Sequence, residues 1–518
     1  MSAARILPPL LAAGLLWLPF AMPLRPGPGL GQWFPLAPEW PALLLALALA
    51  GRWLRLPAVI LLLALVAHKL ADIAMHSALA RGFNLRADLP LIEAGLRLLA
   101  GSVGVVASVA LAVLAVLALA GFALLAWWAA GVWARIGGGW RLRLPLAVLA
   151  LVALVPVQTG AIRAESALYA KGRIDLFRNT QRELTRFAAE AANDPFLGAT
   201  GLLERIDRDV LLIFVESYGR TSFDTPLYAE THLPLLEQAE ARLAQAGLAM
   251  RSGFVAAPTR GGQSWLAHGT LSKGLWIADQ TRYRAALASG RQSLFHHASR
   301  AGFRTAAVMP AITLPWPESS RMGFETVLEA ADLGYEGLPF NWVTMPDQFT
   351  MTALDRLLRD GSDPRRLFAQ VALISSHAPW VPVPRMIDWN LVGDGSVFDD
   401  MAQEGDPPSV VWRDRDRVRD QYRQAVAYSL EVVMDYALRH ADDPPLMLVI
   451  GDHQAAPRIA LDERPDVALH VIGPKALVAE TAAWGLTPGL IPPPDSEAFP
   501  MDRLRDLILG SFGGRPRS

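Results

Sequence analysis

Side chains that could bind a metal ion stand at the ends of three apolar segments. Asp452 and His453 directly follow the apolar run 445–450. Glu216 and His377 come at the ends of two further runs. Apolar runs of this length predict buried parallel strands, and ligands of open α/β sheets bind where such strands end. Carboxylate and imidazole groups both bind divalent metals, so the pattern predicts a metal site. The alternative is that Asp452 caps a turn and His453 is a solvated loop residue.

A hydroxyl group that could act as a nucleophile lies in the segment 258–268. This segment follows a predicted strand, turns through two glycines and leads into a helix-compatible stretch, with Ser264 at its start. Unpaired backbone N–H groups at a helix start favour an anionic group beside the hydroxyl. Ser264 could attack phosphorus if a metal lowers its pKa. The alternative is that Ser264 is only a helix N-cap, and Thr259 is a second candidate nucleophile.

The segments that must position these residues alternate between strand and helix patterns from residue 206 onward. This alternation predicts an α/β domain with a largely parallel sheet. The predicted strands are 209–215, 248–256, 304–309, 368–375, 445–450 and 467–472. The predicted helices are 233–246, 292–301, 349–359 and 414–440. Residues 381–412 mix Pro, Gly and Asp with apolar residues, and we expect them to form a long loop over the site.

The composition limits both the chemistry and the partners. The chain has 518 residues, a hydrophobic fraction of 52% and a net charge of −1. This charge balance gives no sign of a nucleic-acid partner. The absence of cysteine excludes disulfides, thiolate metal ligands and a cysteine nucleophile.

The apolar excess is concentrated in the first third of the chain, where we predict five membrane spans. Each span needs about 20 apolar residues. The five spans lie near 6–23, 37–52, 54–74, 104–129 and 143–162. The second is short and carries Glu39 and Pro41 at one end. Because further spans follow the first, we expect no cleaved signal peptide.

Arginines in the short loops predict the orientation of these spans. Arg5, Arg52, Arg55 and the arginines between 135 and 143 fall on one side if five spans alternate. Short loops rich in Arg and Lys stay in the cytoplasm. The amino terminus is therefore predicted to be cytoplasmic, and the chain after the fifth span to be extracytoplasmic.

The same patterns divide the chain into four predicted parts. They are a transmembrane domain (1–163), a juxtamembrane helical linker (164–205), a catalytic domain (206–480) and a Pro-rich tail with a short helix (481–518).

Together these features resemble the alkaline phosphatase superfamily, and within it the membrane-anchored, sulfatase-like head-group transferases. Lipoteichoic acid synthases and periplasmic phosphoglycerol or phosphoethanolamine transferases are similar in plan. The resemblance implies an N-terminal five-helix transmembrane domain followed by a sulfatase-like α/β domain with a largely parallel central sheet. It covers nearly the whole chain in architecture, but its specific motifs occupy only short segments.

The resemblance also implies a role for each matching residue. It makes Glu216, Asp452 and His453 metal ligands, Ser264 both nucleophile and ligand, and His377 a substrate-phosphate contact. Three further residues are candidates for substrate binding, each with a plainer alternative: Arg260 (surface solvation), His268 (packing or capping) and Trp316, whose segment fits the family loosely. The segment around Asp347 also fits loosely, and there we expect a helix cap for 349–359.

Three departures from the family narrow the comparison. Ser264 stands where the similar head-group transferases have threonine. Residues 264–268 lack the x-Pro-x-Arg pattern that sulfatases need to make formylglycine, which argues against a true sulfatase. The lipid A phosphoethanolamine transferases usually carry disulfides, which this chain cannot form.

These residues and the family resemblance together imply a metal-dependent transferase. It would move phosphoglycerol or phosphoethanolamine from a membrane phospholipid to an extracytoplasmic glycan or lipid, through a serine-bound intermediate. Oxygen ligands with one histidine suit one Mn²⁺ or Zn²⁺ ion, and a second ion is left open. One alternative is a hydrolase of the same phosphodiesters, and another is a non-catalytic membrane binding module.

Overall fold

The computed structural model describes residues 3–23, 37–79, 81–89, 104–136 and 164–513, with isolated positions between 92 and 152. The chain divides into two compact units, Met1–Glu183 and Leu184–Ser518. The division falls inside the predicted linker, 164–205. We describe each unit by itself.

The first unit is helical. Its main helices are α1 (Ala3–Ala21), α2 (Glu39–Ala50), α3 (Arg52–Leu79), α4 (Val105–Ile136) and α5 (Glu165–Ala192), the last of which continues into the second unit; a short helical turn covers Leu85–Asp88. Among these described helices, two stretches are long and apolar enough to cross a membrane, Arg52–Ser77 and Val105–Ile136, with mean hydropathies of 2.0 and 2.8.

The helices therefore support two of the five predicted membrane spans directly. The stretches Leu7–Ala21 and Glu39–Ala50 are apolar but shorter. At 1.5 Å per residue, the 12 residues of α2 fall well short of a hydrocarbon core of about 30 Å. Most of the predicted fifth span, 143–162, lies outside the described residues.

The second unit is built on one nine-stranded sheet. Its strands are β1 (Val210–Val215), β2 (Ala249–Ala256), β3 (Arg304–Met309), β4 (Thr326–Glu329), β5 (Leu367–Leu373), β6 (Leu446–Gly451), β7 (Asp466–Gly473), β8 (Thr487–Pro488) and β9 (Phe499–Pro500). Their order is β4-β3-β5-β1-β6-β7-β2-β8, with β9 beside β2. The six predicted strands are confirmed within one or two residues.

The sheet is mixed, which refines the prediction of a largely parallel one. The five adjacent strands β4, β3, β5, β1 and β6 are parallel, whereas β7 runs antiparallel to both β6 and β2. The chain between β6 and β7 contains only the four-residue helix Pro457–Ala460. Because a parallel return needs a longer crossover, usually with a full helix, β7 comes back antiparallel.

Helices cover both faces of this sheet. The longer ones are α6 (Pro226–Gln245), α7 (Ser264–Lys273), α8 (Gln280–Ala288), α9 (Leu294–Arg300), α10 (Asp347–Leu358), α11 (Arg415–Arg439) and α12 (Arg503–Ser511). Shorter helices cover Thr221–Asp224, Asp399–Ala402, Pro408–Val411 and Lys475–Ala479. Residues 481–513 belong to this same unit, where β8 and β9 pair with β2.

Alternation along β1 shows why the sheet forms a rigid base. Leu211, Ile213 and Val215 pack into one hydrophobic core, whereas Leu212 and Phe214 pack into the core on the opposite face. Each fully buried side chain of this kind contributes about 1.5–3 kcal/mol to folding. The carboxyl end of β1 is therefore held firmly in place.

Candidate metal centre and nucleophile

The metal-ligand candidates meet because β1 lies between β5 and β6. In the parallel register, Val215 pairs with both Leu373 and Gly451. The pairing continues one residue further, since the Glu216 N–H donates to the Leu373 carbonyl (3.2 Å) and the Asp452 N–H donates to the Val215 carbonyl (3.3 Å). Residues that follow the three strands are thus brought to one edge of the sheet.

Four of the predicted ligands come together at this edge. Potential ligand atoms of Glu216, Asp452 and His453 lie within 4.8 Å of one another. Their side chains are buried, with 8%, 2% and 1% exposure. The Ser264 Oγ–H donates a hydrogen bond of 3.1 Å to Glu216 Oε2. Two carboxylates, one imidazole and one hydroxyl therefore form a single polar cluster.

Backbone donors fix the orientation of Asp452. Its Oδ1 accepts from the Ser217 N–H (2.8 Å) and from the His453 N–H (2.6 Å). Ser217 takes a left-handed conformation (φ 58°). Gly451 lies directly against the peptide group of Tyr218, on the segment after β1. A Cβ at position 451 would lie 1.9 Å from the Tyr218 carbonyl oxygen. With Oδ1 occupied, Oδ2 is the oxygen that faces His453 Nε2, at 3.7 Å.

The hydrogen bonds of His453 leave one ring nitrogen for a cation. Nδ1 lies 3.1 Å from the Gln454 carbonyl, which can only accept, so Nδ1 carries a proton. Nε2 lies 3.1 Å from Glu216 Oε1, close enough for an ion pair. The geometry of this contact is not that of a hydrogen bond, so Nε2 is a buried atom without a hydrogen-bond partner. Such an orphaned nitrogen beside two carboxylates and a hydroxyl fits a divalent cation.

The pKa values of the three groups are strongly interdependent. Burial raises the pKa of Asp452, the Glu216 carboxylate raises it further, and the result is about 7. Burial lowers the pKa of His453, but the two carboxylates outweigh burial and raise it to about 9. Burial also acts to raise the pKa of Glu216, yet the charge of His453 holds it well below its usual range. The cluster therefore requires positive charge between its carboxylates, which a proton or a metal ion supplies.

The glycine turn before α7 presents Ser264 to the cluster. Gly261 and Gly262 have φ values of 70° and 137°, and Gln263 is left-handed (φ 68°) in the N-cap position. Ser264 is therefore the first helical residue, and the alternative that it serves only as the N-cap is not supported. The Thr259 hydroxyl donates to the Gly262 carbonyl (2.8 Å), so it closes the turn. Of the two candidate nucleophiles, Ser264 is the one that donates a hydrogen bond to Glu216.

His377 lies at the same edge, on the segment after β5. It is half-buried, and its positive form acts to lower the pKa of Glu216. Its Nδ1 lies 2.5 Å from the Ala378 carbonyl. No hydrogen bond to Nε2 occurs among the residues that the structure describes. His377 therefore stands beside the cluster with one ring nitrogen available to a substrate.

The other three candidates have structural partners of their own. His268 is buried on α7, its ring centroid 4.1 Å from that of Phe214, and burial lowers its pKa to about 4. These contacts favour the packing alternative for His268. The Arg260 guanidinium donates to the Glu463 carbonyl. Trp316 is half-buried and packs against Phe324. None of the three joins the four-residue cluster.

Sequence analysis missed the part played by Asp347. The structure places it inside α10 and fully buried, so it does not cap that helix from outside as predicted. Its Oδ1 accepts from the N–H groups of Ile374 (2.7 Å) and Ser375 (2.8 Å), and its Oδ2 accepts from the Ser429 hydroxyl (2.6 Å). Asp347 therefore holds the segment between β5 and His377.

A second set of contacts supports the end of β1. The Ser376 hydroxyl donates to the Glu216 carbonyl (2.6 Å), and the Tyr422 hydroxyl donates to the Ser217 carbonyl (2.8 Å). Tyr422 lies on α11, about two hundred positions from its partner in sequence, so no local pattern could have indicated this contact. Together these hydroxyls fix the backbone that carries Glu216.

Comparison with known proteins identifies the family of the second unit. The sulfatase family model matches residues 208–467, half of the chain. No curated protein matches the sequence.

Several solved structures are similar, with low identity. The lipoteichoic acid synthase LtaP from Listeria monocytogenes is 13% identical (57% of this chain, 71% of that chain, TM-score 0.36). The periplasmic domain of the phosphoethanolamine transferase EptC from Campylobacter jejuni is 11% identical (59% and 89%, TM-score 0.38). The phosphoglycerol transferase GacH from Streptococcus pyogenes is 12% identical (64% and 90%, TM-score 0.34). On the match to the family model, the chain belongs to the sulfatase family, and it is an enzyme of the alkaline phosphatase superfamily.

Proposed function

We propose that this enzyme transfers a phospho-alcohol head group, of the phosphoglycerol or phosphoethanolamine type, from a membrane lipid to an extracytoplasmic glycan or lipid. The observation that carries the proposal is the hydrogen bond from Ser264 Oγ to Glu216 Oε2, 3.1 Å long, beside the buried Asp452 and His453. A hydroxyl placed among metal-ligand candidates at a helix start is arranged to attack phosphorus.

Glu216, Asp452, His453 and Ser264 would hold one divalent cation, for which Mn²⁺ or Zn²⁺ suits the donor set. When bound, such an ion lowers the pKa of a ligating hydroxyl and neutralises charge on a phosphoryl group.

The residues of the chain account for the remaining steps. Ser264 Oγ forms a bond to phosphorus while its proton leaves toward Glu216 Oε2, and the bond from phosphorus to the lipid alkoxide breaks. The backbone N–H groups that begin α7 face the non-bridging oxygens, as at other anion-binding helix starts. His377 protonates the departing alkoxide. An acceptor hydroxyl then attacks phosphorus while its proton passes to His377, and the Ser264 oxygen leaves and regains its proton from Glu216.

Attachment to the membrane supports a lipid donor. Two described helices are long and apolar enough to cross a bilayer. We propose that the apolar helices of the first unit anchor the protein in the cytoplasmic membrane and that the chain leaves the membrane on its extracytoplasmic side. The catalytic unit then lies outside the cytoplasm, where cell-envelope acceptors are found.

The test follows the head group. Full-length protein in lipid nanodiscs is supplied with Mn²⁺ or Zn²⁺, head-group-labelled phosphatidylglycerol or phosphatidylethanolamine, and a cell-envelope extract as acceptor. We expect label on Ser264 and on the acceptor. Ser264→Ala should abolish both, whereas the matched variant Ser320→Ala, at an exposed serine of the same unit, should not.

Two results would contradict the proposal. Label that appears only as free phospho-alcohol would indicate the hydrolase alternative. Bound metal without any Ser264-dependent turnover would indicate the binding-module alternative.

A further inference from the structure

The first unit contains a cavity of about 560 Å³ between α2, α3 and α5. Its volume lies within the range of roughly 300–1,000 Å³ that is typical of ligand pockets. All its lining residues lie between positions 20 and 174, so the cavity belongs to this unit alone. Alanines on all three helices, among them Ala46 and Ala64, leave the space open.

The wall of the cavity favours an acyl chain. Leu43, Leu62, Leu65 and Ile174 line it together with the alanines, so most of its surface is hydrocarbon. The lining is apolar and partly exposed, with Ile174 53% exposed, so it offers few of the polar partners that ordered water needs and suits a hydrocarbon chain. Helix α3 includes the membrane-length stretch Arg52–Ser77. Lipid chains are therefore the material that surrounds this unit.

One region of the lining is polar, and two of its atoms lack partners. Glu39 Oε1 accepts from the Ala167 N–H at the start of α5 (2.9 Å), but Oε2 is buried without a hydrogen bond among the described residues. His68 Nε2 is also buried and has no hydrogen-bond partner among the described residues. Both side chains line the cavity. Buried polar atoms without partners are costly, so a ligand that supplies hydrogen bonds is favoured there.

The remaining charges at this end are already paired. Arg173 lines the cavity, but its Nη2 lies 3.1 Å from Asp72 Oδ2 and its Nη1 donates to the Phe83 carbonyl (3.1 Å). Asp72 is buried and also accepts from the Phe83 N–H (2.6 Å) and the Tyr169 hydroxyl. The polar atoms that still lack hydrogen bonds are therefore Glu39 Oε2 and His68 Nε2. A ligand that carries N–H or O–H groups can donate a hydrogen bond to the Glu39 carboxylate.

We propose that this cavity binds one acyl chain of a membrane phospholipid whose head group donates hydrogen bonds, through an ammonium or hydroxyls, to Glu39 at its polar end. The site goes beyond the catalytic proposal, because no residue of the Ser264 cluster takes part in it.

The first experiment labels the occupant. Full-length protein in nanodiscs of phosphatidylcholine is given phosphatidylethanolamine with a photoreactive acyl chain, and the labelled peptides are mapped by mass spectrometry. We expect labels in α2, α3 and α5. Ala46→Trp should reduce labelling about tenfold by filling the space. Ala50→Trp, at an exposed position of the same helix outside the cavity lining, should not.

Ala64→Phe fills the cavity from α3 and serves if Ala46→Trp does not fold. Unchanged labelling in a folded cavity-filling variant would overturn the proposal.

The second experiment tests the head group. Unlabelled phosphatidylethanolamine and phosphatidylglycerol carry N–H or O–H donors, whereas phosphatidylcholine carries none. We expect the first two to compete for labelling about tenfold better than phosphatidylcholine, and Glu39→Gln to reduce this preference. Equal competition by all three lipids would overturn recognition by hydrogen-bond donors.

Failure of this inference is distinguishable from failure of the proposed function. Ser264→Ala should lose turnover of a soluble chromogenic phosphodiester and still be labelled like the parent protein. Retained turnover in Ser264→Ala would reject the catalytic proposal alone. Loss of labelling in that variant would reject the independence of the two sites.

Discussion

Two buried histidines, one within β7 and one directly after the neighbouring strand β6, differ in their hydrogen bonds and in their expected roles. His470 lies within β7, and its ring nitrogens pair with the Ser252 hydroxyl (2.7 Å) and the Tyr218 hydroxyl (2.9 Å). His453 follows β6 and has one ring nitrogen paired, while the other faces two carboxylates.

Their ionisation differs accordingly. Burial lowers the pKa of His470 to about 3, whereas the carboxylates around His453 raise its pKa to about 9 against the effect of burial. Burial alone therefore does not identify a ligand. An unpaired nitrogen among negative groups, as in His453, marks a candidate ligand.

The largest expected effect comes from removing the unpaired nitrogen. His453→Ala should lower turnover by at least about 1,000-fold and abolish stoichiometric metal binding, because the site loses its only nitrogen ligand. Metal content after dialysis and turnover of a chromogenic phosphodiester are the measurements. His440→Ala, at a histidine bonded to Asp355 on the second unit, is the control. Metal retained at full stoichiometry in His453→Ala would contradict the assignment of His453 as a metal ligand.

Acid should destabilise the second unit through histidines that are buried in their neutral form. Burial lowers the pKa of His470 to about 3 and that of His232 to about 4, against about 6.5 in an unfolded chain. Between these values the unfolded state binds more protons, so the stability is present above pH 6.5 and is lost as pH falls toward 4 and 3. Each histidine should contribute roughly 3 kcal/mol to this loss. Thermal midpoints of the metal-free protein at pH 7 to 4 measure it, and a flat profile would contradict it.

Removing the paired histidine should affect stability rather than metal binding. His470→Ala leaves the hydroxyl of Tyr218 buried without its ring partner and opens a cavity. We expect a loss of about 2–4 kcal/mol in the free energy of unfolding, with metal content unchanged. Denaturant unfolding of the full chain in detergent provides the measurement. Loss of metal at unchanged stability would reverse the roles assigned to the two histidines.

The smallest effect is expected from the residue that holds the His377 segment. Asp347→Asn keeps one oxygen for the N–H groups of Ile374 and Ser375 but loses the charge that accepts from Ser429. Turnover should fall about tenfold with metal content retained, since His377 shifts while the ligands stay. The free energy of unfolding, measured alongside, separates this shift from general destabilisation. An equal fall in metal content would place Asp347 among the groups that support the metal site itself.

The sequence predicted the strand ends well because their signals are local. Apolar runs set β1, β5 and β6; Glu216 and Asp452 directly follow β1 and β6, and His377 lies four residues after β5. It did not predict the direction of β7, which depends on the length of the connection rather than on the strand. The choice between Ser264 and Thr259 depends on turn geometry, and the contact of Tyr422 with Ser217 joins distant segments. The second predicted span, already short at 37–52, is shorter still as helix α2.

The close approach of Gly451 to the Tyr218 carbonyl has a practical consequence for protein engineering. Any larger residue would push the two loops apart and separate the cation-binding groups that they carry. Attempts to change ion preference should therefore exchange donor side chains and keep this glycine. A library that randomises position 451 should yield almost no active clones, whatever metal is supplied.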